Sequence, residues 1–109
     1  MSAPKVLIVD DEPDLCELLS ITLGRMQLGS DAVHTLRDAR EALAKGRYDV
    51  CLTDMHLPDG NGLSLVEWMQ TAAPDVPVAV ITAHGNVESA VKALKLGAFD
   101  FVSKPLDLN

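Results

Sequence analysis

The sequence predicts a doubly wound α/β domain, an open parallel sheet of five strands with helices on both faces. Three observations carry that prediction. Short, near-continuous apolar runs, of the kind found in strands buried on both sides, alternate with segments of helical apolar spacing. The helical segments are bracketed by cap and stop residues. At 109 residues, 48% of them apolar, the chain reads as one domain, 1–109, with enough apolar side chains for a real core.

Lys5–Val9 is the first strand, unbroken in its apolar run from Val6 onward. Glu12-Pro13-Asp14 then opens a helix, with proline at the first helical position and acids facing the positive end of the macrodipole. Leu15, Leu18, Leu19, Leu23 and Met26 follow at helical spacing, and Gly29 is the expected terminator. A weak second strand is expected near Asp31–His34, and a short helix around Asp38–Lys45 with Ala39, Ala42 and Leu43 inward. Val50–Thr53 is the third strand and runs directly into Asp54; Pro58-Asp59-Gly60 marks a turn. Leu63–Ala73 reads as a helix that stops before Pro74. Val78–Thr82 is the fourth strand, and Asn86 caps a helix expected to turn Val87, Ala90, Val91 and Leu94 inward. Gly97 ends that helix, and Phe99–Ser103 is the fifth strand. Crossovers between parallel strands are right-handed, and ligands of such sheets bind beyond the carboxyl ends of the strands.

Charge narrows the function classes. Nine basic residues against sixteen acidic ones give a net charge of −7, which argues against direct nucleic-acid binding and suits divalent cations. No apolar run approaches the ~20 residues that span a bilayer, and Met1 to Pro4 carry no apolar signal region, so the chain is expected to be cytoplasmic. Cys16 and Cys51 lie inside apolar segments without metal or redox spacing and read as reduced core residues.

The strand ends carry the chemistry. Asp10-Asp11 follow the first strand, Asp54 the third, Thr82 closes the fourth and Lys104 follows the fifth. If the first and third strands are neighbours, three carboxylates converge within roughly 5 Å, and each like-charged pair costs about 3 kcal/mol at an effective dielectric near 20. Protonation or a cation must relieve that. Hard carboxylate oxygens without a His or Cys cluster suit Mg²⁺ or Mn²⁺. An Asp carboxylate is a competent nucleophile toward phosphorus, and the Thr82 hydroxyl and Lys104 ammonium can each take a phosphoryl oxygen. Taken singly, Asp10, Asp11 and Glu12 read as first-turn acids and a cap, Asp54 as a turn residue, Thr82 as a β-branched strand end and Lys104 as a solvated charge. Four strand ends that each deliver a group the same reaction needs point away from accident.

These motifs resemble the receiver domain of bacterial two-component response regulators. The matching residues are the first strand with Asp10-Asp11-Glu12-Pro13, Thr53-Asp54-Met55, Leu57-Pro58-Asp59-Gly60 with Gly62, Ile81-Thr82-Ala83 and Lys104-Pro105. The resemblance implies a flavodoxin- or CheY-like strand order 2-1-3-4-5, with Asp54 as phosphoacceptor. It makes Asp11 a direct metal ligand, Asp10 a largely water-mediated one, and the main-chain carbonyl of His56 the last protein ligand. Thr82 and Lys104 become the readout pair, Ala83 the small residue that leaves room for the phosphoryl group, and Phe101 the switch aromatic, also readable as a plain core residue. Lys104-Pro105 is implied to be cis. Thr82-Ala83-His84-Gly85 and Gly97-Ala98-Phe99-Asp100-Phe101 are similar to the nitrogen-regulator class, whose receivers control an attached ATPase that drives sigma-54 transcription. Ile21-Thr22-Leu23-Gly24-Arg25-Met26 and Cys51-Leu52-Thr53-Asp54-Met55 are similar to regulators of the type IV pilus. Implied partners are a histidine kinase, attached ATPase and DNA-binding domains, and a second copy in a homodimer.

One departure stands out: receivers carry a fifth helix, and this sequence stops at Asp107-Leu108-Asn109, where it should begin. The fold is thus expected to be truncated there, leaving part of the sheet bare and open to self-association. His56 and His84, beside the site, read as solvated loop residues or as tuners of phosphoryl lifetime. A stand-alone receiver acting by protein contact is an alternative. An aspartyl phosphohydrolase would place its nucleophile after the first strand in an Asp-x-Asp pattern, where this chain has Glu12-Pro13. A flavodoxin-like electron carrier needs a Ser-, Thr- or Gly-rich phosphate loop there, and three consecutive acids would repel its cofactor.

Overall fold

Val6, Leu7, Ile8 and Val9 are buried, as are all five residues of Val78–Thr82, and this is why these runs occupy the interior of a parallel sheet. The structure, a computed structural model, describes residues 4–106. Its five-stranded sheet consists of β1 (Lys5–Val9), β2 (Gly29–Val33), β3 (Val50–Thr53), β6 (Val78–Thr82) and β7 (Asp100–Ser103), in the order β2-β1-β3-β6-β7, every pair parallel. Strands β4 (His56–Leu57) and β5 (Gly60–Asn61) form a separate two-residue hairpin on the Pro58-Asp59 turn. Setting that hairpin aside, the order is the expected 2-1-3-4-5. Register places Val9 beside Thr53, so the residues that follow β1 and β3 emerge side by side.

Among the described residues four helices cover the sheet: α1 (Pro13–Arg25), α2 (Leu36–Lys45), α3 (Gly62–Ala72) and α4 (Val87–Leu96). The larger core lies where Leu7, Val9 and Val80 meet Leu36 and Ala39 of α2, Leu65, Val66 and Met69 of α3, and Ala93 of α4. The opposite face is thinner, with Val6 and Ile8 packed against Cys16 and Leu19 of α1. Both cysteines are buried and free. Among the described residues no helix follows β7; Asp107, Leu108 and Asn109 lie outside them. No described helix is long and apolar enough to cross a membrane.

Several boundaries differ from the sequence expectation. Gly29 does not end α1 but opens β2, paired with Lys5. The helix ends at Met26, where Gln27 takes the left-handed conformation at φ 63°, the Gln27 N–H bonds the Gly24 carbonyl and the Leu28 N–H bonds that of Leu23. This is the bonding pattern that glycine usually supports at a helix end. Helix α2 starts two residues early because Thr35 caps it, accepting from Asp38 N at 3.1 Å, and the Asp59 carboxylate accepts from Leu36 N and Arg37 N at 2.8 and 3.1 Å. The largest correction concerns α4. Its capping box on Asn86 and Ser89 and its end at Gly97 are as expected. Val87, Val91 and Leu94, however, face outward at 81%, 45% and 49% exposure, and Ala93 is the buried residue. Small side chains let this helix sit close against its neighbours, which the apolar spacing alone does not reveal.

Candidate functional site

Asp10 leaves β1 with its N–H bonded to the Val33 carbonyl, and Asp54 leaves β3 with its N–H bonded to that of Val9. These main-chain bonds extend the parallel ladder one residue past the strands and fix both carboxylates at its carboxyl edge. Lys104, just past β7, is held likewise through its N–H to the Thr82 carbonyl at 2.9 Å. The Lys104–Pro105 peptide is cis.

The side chains meet over the edge. Lys104 Nζ donates to Asp10 Oδ2 at 2.8 Å, Glu12 Oε1 at 2.9 Å and Asp54 Oδ2 at 3.0 Å. Asp10 is 3% exposed and Asp54 5%. Asp10 Oδ1 also accepts from Glu12 N, and Asp54 Oδ1 from His56 N. Carboxylate oxygens of Asp10, Glu12 and Asp54 lie within 4.8 Å of one another. At that separation each ionised pair repels by roughly 3.5 kcal/mol at an effective dielectric near 20.

One ammonium among three carboxyl groups does not balance them. Burial pushes the Asp10 carboxyl above its ordinary range, against the pull of Lys104 and the Glu12 N–H. Burial alone would lower the Lys104 ammonium, but its bonds to Asp10, Glu12 and Asp54 win and raise it, so it stays charged. A cluster that is buried, over-acidic and made of hard oxygen donors fits a hard divalent cation.

Asp11 is exposed and contributes no oxygen to this group; the third carboxylate is that of Glu12. Glu12 is the residue the sequence reading missed, and the only hint was its place next to Asp10-Asp11. Thr82 is fully buried, its hydroxyl accepting from His84 N at 3.2 Å. Ala83 and Lys104 line an open groove of about 410 Å³ together with Glu12, Leu15, Leu18 and Pro105, which leaves the ammonium accessible from outside. Phe101 is half-buried and packs against Gly85, where an added Cβ would lie 2.5 Å from its ring and 3.2 Å from Thr82 Cγ2. The His56 and His84 rings meet edge-on, centroids 4.8 Å apart.

The family described as the response regulator receiver domain matches residues 6–109. The chain is 57% identical over 108 residues to the response regulator protein PilR of Pseudomonas aeruginosa, across 99% of this chain and 24% of that protein. It is 39% identical over 110 residues to the nitrogen assimilation regulatory protein NtrX of Azorhizobium caulinodans, across 96% of this chain and 24% of that protein. The chain thus spans about a quarter of the length of these curated relatives. Among solved structures, the beryllofluoride-activated NtrC4 receiver domain dimer superposes with a TM-score of 0.91 at 38% identity, over 95% of this chain and 86% of that one.

Proposed function

For a chain that belongs to the response regulator receiver domain family, we propose that Asp54 is the phosphoacceptor of a two-component relay. The supporting observation is the convergence of Asp10 and Asp54, from two strand ends, on the ammonium of Lys104 from a third. A carboxylate oxygen of Asp54 attacks the phosphorus of a kinase phosphohistidine. The new O–P bond forms as the N–P bond breaks, and the imidazole leaves with the electron pair. Asp10, Asp54 and the His56 carbonyl, with Asp11 once its exposed side chain turns inward, would hold Mg²⁺ or Mn²⁺, which would neutralise charge on the transferring group.

Lys104, already bonded to Asp54, is placed to take one phosphoryl oxygen, and the Thr82 hydroxyl a second after exchanging its bond from His84 N. Ala83 keeps the approach open. Movement of Thr82 draws the 82–86 loop, and Phe101, resting on Gly85, follows it inward. Phosphorylation biases the two states only by such differential contacts. In the longer protein the switched surface, which includes the exposed apolar side of α4, would govern a homodimer and an attached ATPase and DNA-binding region that activates sigma-54 transcription in the cytoplasm. The resemblance of Ile21–Met26 and Cys51–Met55 to regulators of the type IV pilus, beside the similarity to the response regulator protein PilR, favours a pilus-regulating role.

The test is incubation with a small acyl-phosphate donor and Mg²⁺, read by intact mass. Wild type gains one phosphoryl group and Asp54→Ala none; a phosphoryl on the Asp54→Ala protein, or none on either, refutes the assignment.

A further inference from the structure

Glu12 sits at the N-cap of α1, yet its side chain makes no capping bond. Pro13 follows at the first helical position and has no N–H to offer. The Glu12 carboxylate instead reaches a lysine 92 residues away in sequence. It is also unlike its two companions: its side chain is 59% exposed, against 5% for Asp10 and 6% for Asp54. Lys104 is therefore bonded to two carboxylates inside the site and one at its mouth. The side chain thus bonds a distant lysine in place of the helix end it stands at.

Ammonium and divalent cation cannot share the inner oxygens. Both are positive, and both would claim the same Oδ2 atoms of Asp10 and Asp54. With the cation in place, Lys104 loses two of its three partners, and the carboxylate left to it is Glu12. We infer that Glu12 is a positioning residue, the anchor that keeps the Lys104 ammonium at the mouth of the site while Asp10 and Asp54 hold a divalent cation. This rests on the assignment of Asp54 and Lys104 made above. A lysine released to solvent regains its rotamer freedom and must be recaptured for each phosphoryl group; one tethered to Glu12 has a short distance to travel.

The test follows Lys104 directly. The protein has five lysines, and 13Cε labelling with Lys104→Met as the assignment control isolates the Lys104 signal. Without Mg²⁺, wild type and Glu12→Gln should both show a rigid Lys104, because Asp10 and Asp54 still hold it. With saturating Mg²⁺, wild type should remain rigid, while Glu12→Gln should move to the mobile position of the exposed Lys92 and Lys95. A Lys104 signal that stays rigid in Mg²⁺-loaded Glu12→Gln, or turns mobile in Mg²⁺-loaded wild type, overturns the inference. Phosphoryl uptake gives the second readout, expected to slow about tenfold in Glu12→Gln, the equivalent of one charge-assisted hydrogen bond. An unchanged uptake rate also counts against the anchor. If wild type takes up no phosphoryl group, the assignment of Asp54 fails instead, and the lysine signals still decide the role of Glu12.

Discussion

Lys5 and Lys104 both face carboxylates, and they do so in opposite ways. Lys5, at the start of β1, pairs with Asp31 at 2.9 Å, both side chains 44% exposed, and the Tyr48 hydroxyl donates to the same Asp31 oxygen at 2.7 Å. Lys104, at the other end of the sheet, is 10% exposed and serves three carboxyl groups. The first arrangement is balanced, wet and local to the sheet edge, and such pairs are worth little. The second is largely buried and short of positive charge, an imbalance that a further hard cation would relieve. Even the titration directions oppose. Lys5 and then Tyr48 hold the Asp31 carboxyl below its usual range, whereas burial lifts that of Asp10.

The comparison breaks hardest at Lys104. In metal-free buffer, Lys104→Met leaves Asp10 and Asp54 buried without a cation, and urea unfolding should show a loss of about 3–5 kcal/mol, the usual cost of orphaning a buried charge. Added Mg²⁺ should restore much of it; a variant as stable as wild type without metal would erase the distinction between the two clusters. Next comes Asp10→Asn, which should stabilise the metal-free protein by up to about 2 kcal/mol, as neutralising a strained functional carboxylate commonly does. It should also abolish stabilisation by Mg²⁺.

The pH profiles sharpen the contrast. With its folded value raised, Asp10 contributes stability below about pH 3.8 that is lost as pH rises through its folded value, and Asp10→Asn removes this dependence. Asp31, with its folded value lowered, contributes stability above about pH 3.8 that disappears as pH falls through its folded value. Stability curves of Asp10→Asn and Asp31→Asn against wild type should therefore bend in opposite directions in acid. The smallest effects belong to Lys5→Ala and Tyr48→Phe, each expected to cost about 1 kcal/mol or less in thermal unfolding. Tyr48 adds an alkaline signature: burial, then Asp31, raises its hydroxyl to about 12, so its contribution is present in full below about pH 10 and is lost as pH rises through about 12.

Much of the fold was legible because parallel strands announce themselves as apolar runs and their ends name the residues that meet. Asp10, Asp54 and Lys104 come together for that reason alone. Strand ends do not say which neighbouring acid turns inward, so the place of Glu12 beside Lys104, decided by a contact across 92 positions, stayed hidden. The outer side of α4 was misread because period identifies an apolar face without saying what it meets; Ala93 is buried because it is small enough for close approach. The Asp59 carboxylate looked like ordinary turn chemistry, and its bonds to the start of α2 lie 22 and 23 positions away.

That last contact shapes how the site can move. The segment after Asp54 is bolted at both ends: Gly62 N–H bonds the Met55 carbonyl at 2.7 Å, the Thr53 hydroxyl bonds that of Asp54, and the hairpin tip is pinned to α2 through Asp59. An added Cβ at Gly62 would lie 2.0 Å from the Asp54 carbonyl oxygen, so helix and loop already touch. Across the gap, the 83–85 stretch is anchored chiefly by one 3.2 Å bond from His84 N to Thr82. The edge is built like a vise, with a braced jaw that holds Asp54 and, across the gap, a lightly fastened one. A phosphoryl group on Asp54, as proposed, would meet give on one side only, so its arrival would be read outward in a single direction.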